Sequence, residues 1–327
     1  MPDSKQSPLI DSHGPRTWGL KVLTGGGNPG LAQEICDLLG EPLAPVEISR
    51  FSNENIFVQI QDNVREADAY VVQPFGSPVH ENIMELLILI DALRSASARR
   101  ITAVIPYYSY ARSDKKDAPR ISIAGRLMAD LLTTAGANRV LTMTLHSPQV
   151  HGFFSVPTDH LTATNILAKR ISDLHIDHLT VVAPDAGHAK RAGEFAALLH
   201  APLAMVDKRR VSDTHVEATT VVGDVRGRNC VIVDDEIAAG STTVNTARAL
   251  LEHGAKKVYA AATHGVLCGP AIERLEKSEL ERVIVTNTVV VPPEKRIAKL
   301  EVVSVAEIFA EAIKRIHTGE SLSALFH

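Results

Sequence analysis

The segment from Val231 to Thr243 reads VIVDDEIAAGSTT: an apolar run ends on two adjacent acids, Asp234 and Asp235, then crosses a small-residue turn to hydroxyls at a helix start. Successive strand residues point to opposite faces, so at the strand tip the two carboxylates are expected to serve different atoms of one ligand. Without partners they would repel by about 4 kcal/mol at ~4 Å under an effective dielectric of about 20. A polyol, a metal or both would relieve that. Ala238, Ala239 and Gly240 let backbone N–H groups approach an anion, and Ser241, Thr242 and Thr243 add hydroxyl donors at the positive end of the helix. The set suits a sugar phosphate. A Ser or Thr before a helix is usually no more than a cap. The acid pair reverses that preference, because a buried ionised carboxylate is costly unless paired.

A second cluster is basic. Between Arg99 and Arg126, seven bases (Arg99, Arg100, Arg112, Lys115, Lys116, Arg120, Arg126) stand against Asp114 and Asp117, a net of +5 in a chain whose net charge is −4. Such a run is usually a solvated face. Here residues 112–121 follow a strand and lack apolar periodicity, which predicts a mobile loop suited to closing over polyphosphate. The acidic balance of the whole chain argues against a nucleic-acid binder. Lys208 and Arg210 end the run MVDKRR, where alternate residues point the same way; on spacing alone a solvated strand end and a functional pair stay equally open. His146, one of 14 histidines, closes the apolar-rich run 140–145, and Asp185 sits in PDAG, where a helix N-cap is an even alternative. Phe51 to Asn55 (FSNEN) follows a short strand and reads either as an ordinary turn or as an exposed ring beside amides.

These residues need elements to hold them. Residues 21–47 align with 181–207 at an offset of 160 without a gap, Pro42 on Pro202 and Leu43 on Leu203, and Tyr70-Val71-Val72 falls on Cys230-Val231-Ile232. One β-α-β unit has been used twice. Helices are expected near 81–96, 243–253 (with Gly254 just past its end) and 305–316, and strands over 69–73, 101–105, 230–233 and 258–262. Continuous Val, Ile and Ala strands belong in parallel sheets covered on both faces. The expected fold is α/β, two tandem doubly wound parallel-sheet domains, with ligands where strand carboxyl ends meet helix N-termini. A flexible tail is expected over 1–17, domains over 18–162 and 163–327 with a short link near 157–164, and a last helix able to pack back on the first domain. The 327 residues, 45% hydrophobic and 22% charged, exclude a disordered chain, and no run approaches the roughly 20 residues of a membrane span. Three distant cysteines (Cys36, Cys230, Cys268) and a polar start that is no leader fit buried thiols in a reducing cytoplasm.

The acid pair and turn resemble the phosphoribosyl-diphosphate motif of type I phosphoribosyltransferases. Over about Val22 to Phe326 the chain is similar to the ribose-phosphate diphosphokinase (phosphoribosyl pyrophosphate synthetase) family, on the motifs Arg50-Phe51-Ser52-Asn53, Ile83-Met84-Glu85-Leu86-Leu87, Pro106 to Arg112 (PYYSYAR), Leu145-His146 with Gly152-Phe153-Phe154, Pro184 to Gly187, Asp207 to Arg210, and Val285-Thr286-Asn287-Thr288. The resemblance implies the phosphoribosyltransferase fold and Mg2+-dependent transfer of a diphosphoryl group from ATP to the C1 hydroxyl of ribose 5-phosphate. It implies ATP contacts from Phe51, Ser52, Asn53, Asn55, Arg112, Ser113 and Asp117, and transition-state charge from Lys115, Lys116, Arg120, Lys208 and Arg210. It implies His146 as an active-site and metal-linked histidine with Asp185 as second metal residue, ribose hydroxyls on Asp234 and Asp235, and the 5-phosphate on Ala238 to Thr243. A homo-oligomer, commonly a hexamer built from dimers, is implied, with the purine cradled across subunits. The chain departs from the family pattern at Ala238 and Ala239, at Asn55, at Thr144 and in the placing of Gly240. A phosphoribosyltransferase would share the acid pair but needs one such domain, and a non-catalytic synthetase-associated subunit would keep the fold and interfaces; no GxxxxGK[ST] loop of a nucleotide kinase occurs.

Overall fold

Runs of Val, Ile, Leu and Ala bounded by polar turns become buried strands here because branched side chains pack well on a pleat covered on both faces. The computed structural model describes residues 18–212 and 215–325, with side chains described outside 207–219; the expected tail 1–17 lies outside the described residues. In chain order the strands are β1 (Leu20–Thr24), β2 (Val46–Arg50), β3 (Ile56–Ile60), β4 (Asp68–Val72), β5 (Arg100–Ile105), β6 (Arg139–Met143), β7 (Thr158–Leu161), β8 (Leu179–Ala183), β9 (Leu203–Ser212), β10 (His215–Val222), β11 (Asn229–Ile237), β12 (Lys257–Gly265), β13 (Leu280–Thr286) and β14 (Leu300–Val303). The helices are α1 (Pro29–Leu39), α2 (Val79–Ser95), α3 (Ala124–Ala135), α4 (Thr164–Ser172), α5 (Ala189–Leu198), α6 (Ser241–Glu252), α7 (Ala271–Lys277) and α8 (Ala306–Thr318).

Two sheets result. The first is parallel, in the order β1-β4-β5-β6-β7; the second runs β10-β9-β8-β11-β12-β13-β14, parallel except where β10 meets β9. An offset of 160 carries β1 onto β8, β4 onto β11 and the hairpin β2-β3 onto β9-β10. In the second unit that hairpin joins the main sheet through β8, whereas in the first it forms its own two-stranded sheet beside a Val22–Leu43 bridge. Residues 157–164 are not a link: Thr158–Leu161 forms β7, pairing with β6, because its backbone completes the edge of the first sheet.

Strand alternation decides which core each side chain enters. Val22, Tyr70, Val72, Val231 and Val233 face a central core, while Leu23, Ala69, Val71 and Cys230, Ile232 face two outer ones. The central core is shared. Leu31 and Ile35 of α1, Leu167 of α4, Phe195 of α5, and Phe309 and Ile313 of α8 pack there between the two sheets. Each large apolar side chain so buried is worth about 1.5–3 kcal/mol, so α8 docks on the first unit's α1. Arg100 of β5 donates to the Ile316 carbonyl at 2.9 Å, and His317 donates to Asp68 at 2.7 Å. The expected cysteine burial holds for Cys36 and Cys230; Cys268, in the turn before α7, is exposed.

Candidate functional site

Alternation along β11 sends Val231, Val233 and then Asp235 toward the first unit. There Asp235 meets His146, which follows β6. His146 Nδ1 donates to Asp235 Oδ2 at 2.7 Å, and His188 Nε2 donates to Asp235 Oδ1 at 2.9 Å. Asp234 does not point away as expected. Its Oδ1 accepts the Asp235 N–H at 2.8 Å, which folds the carboxylate back along the strand to within 3.1 Å of the same His188 nitrogen. The other ring nitrogen of His188 is 2.8 Å from Asp185 Oδ1. Asp185 is therefore both the N-cap of the short 3₁₀ turn Ala186–His188 and the anchor of that imidazole. One histidine bridges three carboxylates.

The charges follow from this packing. The Asp185, Asp234 and Asp235 carboxylates, in that order, push the His188 pKa up to about 12. His146 is raised by its bond to Asp235. Burial pushes Asp235 up, but the hydrogen bonds from both imidazoles outweigh it and hold the carboxyl far below its usual range; burial wins for Asp234, which is raised. Asp185 is lowered by His188. Glu236, the next residue along β11, is raised by burial; it is ion-paired with Arg112, and its Oε2 accepts from the Tyr107 hydroxyl at 3.2 Å.

Behind His146 the backbone is held in an unusual shape. Thr144 has φ 43°, a region that branched residues rarely occupy. It is kept there by His264, whose Nε2 donates to the Thr144 carbonyl at 3.0 Å, while the Leu145 N–H donates to His160 Nε2 at 2.8 Å. Burial holds both of these imidazoles neutral, with pKa values of about 4.

A cavity of about 280 Å³ opens over these groups, lined by Arg112, His146, Asp185, His188, residues 234–237 and the turn Ala238 to Thr243. The N-cap of α6 is Gly240 at φ 74°, with no side-chain hydrogen bond to the first turn. A side chain at that φ would be strained. Ser241, Thr242 and Thr243 lie past the cap rather than at it, and together with the turn before them they line the cavity at the positive end of the helix, where an anion would be favoured. A further cavity of about 400 Å³ shares His146 and His188 and is also lined by Thr144, His160, Thr162, Lys190 and Arg191.

Of the residues singled out in the sequence, the structure gathers Arg112, His146, Asp185, Asp234, Asp235 and 238–243 around one cleft. Lys115, Lys116, Asp117 and Arg120 are exposed on the segment before α3, and none of them lines the cleft; Ser113 Oγ accepts the Ala124 N–H at 3.1 Å. Phe51, Ser52, Asn53 and Asn55 are exposed in the β2–β3 turn, with Phe51 stacked edge-on to Phe57. Lys208 and Arg210 do not end a strand, since β9 continues to Ser212 and their backbones pair with Thr219 and Glu217; their side chains lie outside the described residues. Sequence reading missed His188, Glu236, Arg191, Tyr107 and His264. His188 and Glu236 carry a local signal, one three residues past Asp185 and the other directly after the acid pair. His264 carries none and Tyr107 only its place in the PYYSYAR motif, because their roles depend on contacts across the two sheets, where their rings lie 4.8 Å apart.

Residues 20–136 match the profile of the N-terminal domain of ribose phosphate pyrophosphokinase, and residues 210–327 that of the phosphoribosyl synthetase-associated domain. The chain is 52% identical to a ribose-phosphate pyrophosphokinase of Deinococcus radiodurans, covering 99% of both chains. It is 51% identical to one of Caldanaerobacter subterraneus, over 95% of this chain and 98% of that one. Among solved structures, the phosphoribosylpyrophosphate synthetase of Mycobacterium smegmatis superposes with a TM-score of 0.88 at 40% identity, over 92% of this chain and 99% of that one.

Proposed function

The chain belongs to the ribose-phosphate pyrophosphokinase family, and on that premise we propose that the crest of β11 with the first turn of α6 seats ribose 5-phosphate, while Arg112 and the basic segment after it receive ATP. The reaction moves the diphosphoryl group of ATP to the C1 hydroxyl of the pentose and releases AMP. The observation that carries the assignment is the junction at Asp235, where His146 of the first unit meets the acid pair of the second beside a helix start with no side-chain cap. Asp234 and Asp235 accept from the ribose hydroxyls, and the turn 238–243 donates to the 5-phosphate. Glu236 holds Arg112 at the cleft mouth, where its guanidinium faces the nucleotide. Such a transfer asks the protein mainly to align the β-phosphorus with the attacking oxygen and to balance charge, which is the work assigned to Arg112, Lys115, Lys116, Arg120, Lys208 and Arg210.

Three carboxylates around one imidazole fit a divalent cation, since the proton on His188 neutralises charge that a hard cation accepting oxygen ligands and waters would neutralise as well. Mg2+ would be held at His146 and Asp235, with Asp185 standing behind His188 rather than within that group, and when bound it supplies positive charge to the triphosphate oxygens. The exposed Phe51, with Ser52, Asn53 and Asn55 beside it, serves the purine of a neighbouring subunit in a homo-oligomer, read as a hexamer of dimers in the cytoplasm. The test is AMP release from ATP and ribose 5-phosphate with no nucleobase present. Turnover that stops on chelation and returns with Mg2+ supports the reading. Release of AMP only when a base is added, or none from an intact oligomer, overturns it.

A further inference from the structure

We propose that His188 is a nitrogen ligand of the metal site, so that with His146 and Asp235 it forms a mixed nitrogen–oxygen centre that favours Co2+ over Mg2+. The ligand atoms of these three side chains all lie within 4.8 Å of one another. Bonds of about 2.1 Å in an octahedron set neighbouring ligands about 3 Å apart, and the two imidazole nitrogens already lie 2.7 and 2.9 Å from the oxygens of Asp235. Those two spacings match edges of a coordination sphere.

The second observation is the far side of the ring. A metal-bound imidazole typically gives its other N–H to a carboxylate, which fixes the tautomer and raises the ligand's basicity. His188 Nδ1 makes such a bond to Asp185 Oδ1 at 2.8 Å, and the 3₁₀ turn Ala186–His188, capped by that same carboxylate, holds the ring in place. Its inner nitrogen is thereby left facing Asp235 and Asp234. Asp185 then orients a ligand as well as bearing charge of its own. Two imidazoles change the selectivity, because nitrogen donors gain more from Co2+ than from Mg2+, which prefers oxygen and keeps its waters.

The inference rests on the metal reading above and is tested apart from catalysis. The full chain, stripped of metal, is loaded with half an equivalent of Mn2+ for pulsed electron paramagnetic resonance, and Co2+ and Mg2+ affinities are measured by calorimetry for the wild type and His188→Asn. The expected spectrum of the wild type contains couplings from two imidazole nitrogens, falling to one in His188→Asn. Co2+ affinity is expected to drop at least tenfold in the variant while Mg2+ affinity changes less than threefold. Identical spectra, or equal losses for both ions, overturn the proposal. If circular dichroism shows the variant unfolded, the wild-type spectrum decides alone: two nitrogens support the proposal, one or none overturns it. A chain that releases AMP with a single nitrogen coupled defeats this inference only, and one with two nitrogens and no AMP defeats the functional reading only.

Discussion

The two copies of the repeated unit differ most where their central strands end. In the first, β4 runs into Gln73, whose amide fills the space under the loop after β1. Gly27 N–H donates to Gln73 Oε1 at 3.0 Å and Gly26 N–H to Glu85 Oε2 at 2.8 Å, while Gln73 Nε2 donates to Glu85 at 3.1 Å. A Cβ on Gly25 would fall 2.8 Å from the Gln73 amide, so a side chain there would have to push that amide aside. In the second copy the strand runs on past Val233 to Asp234 and Asp235, and a cavity remains over them. One copy fills the space beside its strand end with its own Gln73 and Glu85; the other leaves an acid-lined cavity there. The same β-α-β frame thus serves as a brace or as a site, and a few crest residues decide which.

Removing a crest acid should break this contrast most sharply. Asp235→Ala takes the carboxylate from His146 and one of three from His188, and the rate of AMP release is expected to fall about 10³-fold, near 4 kcal/mol of barrier; activity within tenfold of wild type would refute the placing of the site. The joint between the copies should next reveal itself through pH. His160 and His264 have folded pKa values of about 4 against about 6.5 when unfolded. Between those values the unfolded chain binds protons that the native state refuses, so stability falls as pH drops from about 6.5 to 4, by up to about 3 kcal/mol for each histidine, and is unaffected by them above pH 7. Denaturant midpoints measured across that range should flatten in His264→Gln.

A smaller effect is expected where α8 of the second copy docks on the first. Asp68 is buried and takes bonds from Arg100, His317 and the Tyr70 hydroxyl. Asp68→Asn should cost about 2–3 kcal/mol in chemical denaturation; no change would mean that apolar packing alone docks the helix. The mildest change belongs to the sealed copy. Glu85→Gln should lower stability by about 1–2 kcal/mol and leave the rate of AMP release within twofold, and a large rate loss there would erase the distinction between brace and site.

Much of this was legible beforehand, for a local reason. The repeat and the strand positions are carried by residues close in sequence, so α2 and α6 begin within two residues of expectation at Val79 and Ser241. The acid pair announced itself because no purely structural role needs two carboxylates after a VIV run. The orientation of those acids was misread, since alternation along a strand does not account for a carboxylate that turns back to its neighbour's N–H.

The chain order by itself determined the α/β units, their duplication, the apolar faces and the kind of chemistry at the second crest, because each depends on the period and type of adjacent side chains. Tertiary structure alone decided that His146 meets Asp235 across 89 positions, that His264 reaches Thr144 across 120, and that the two units share one central core. Those contacts arise from how the two sheets stack on the helices between them, and side-chain spacing along a chain carries no record of which distant strand tip will lie opposite.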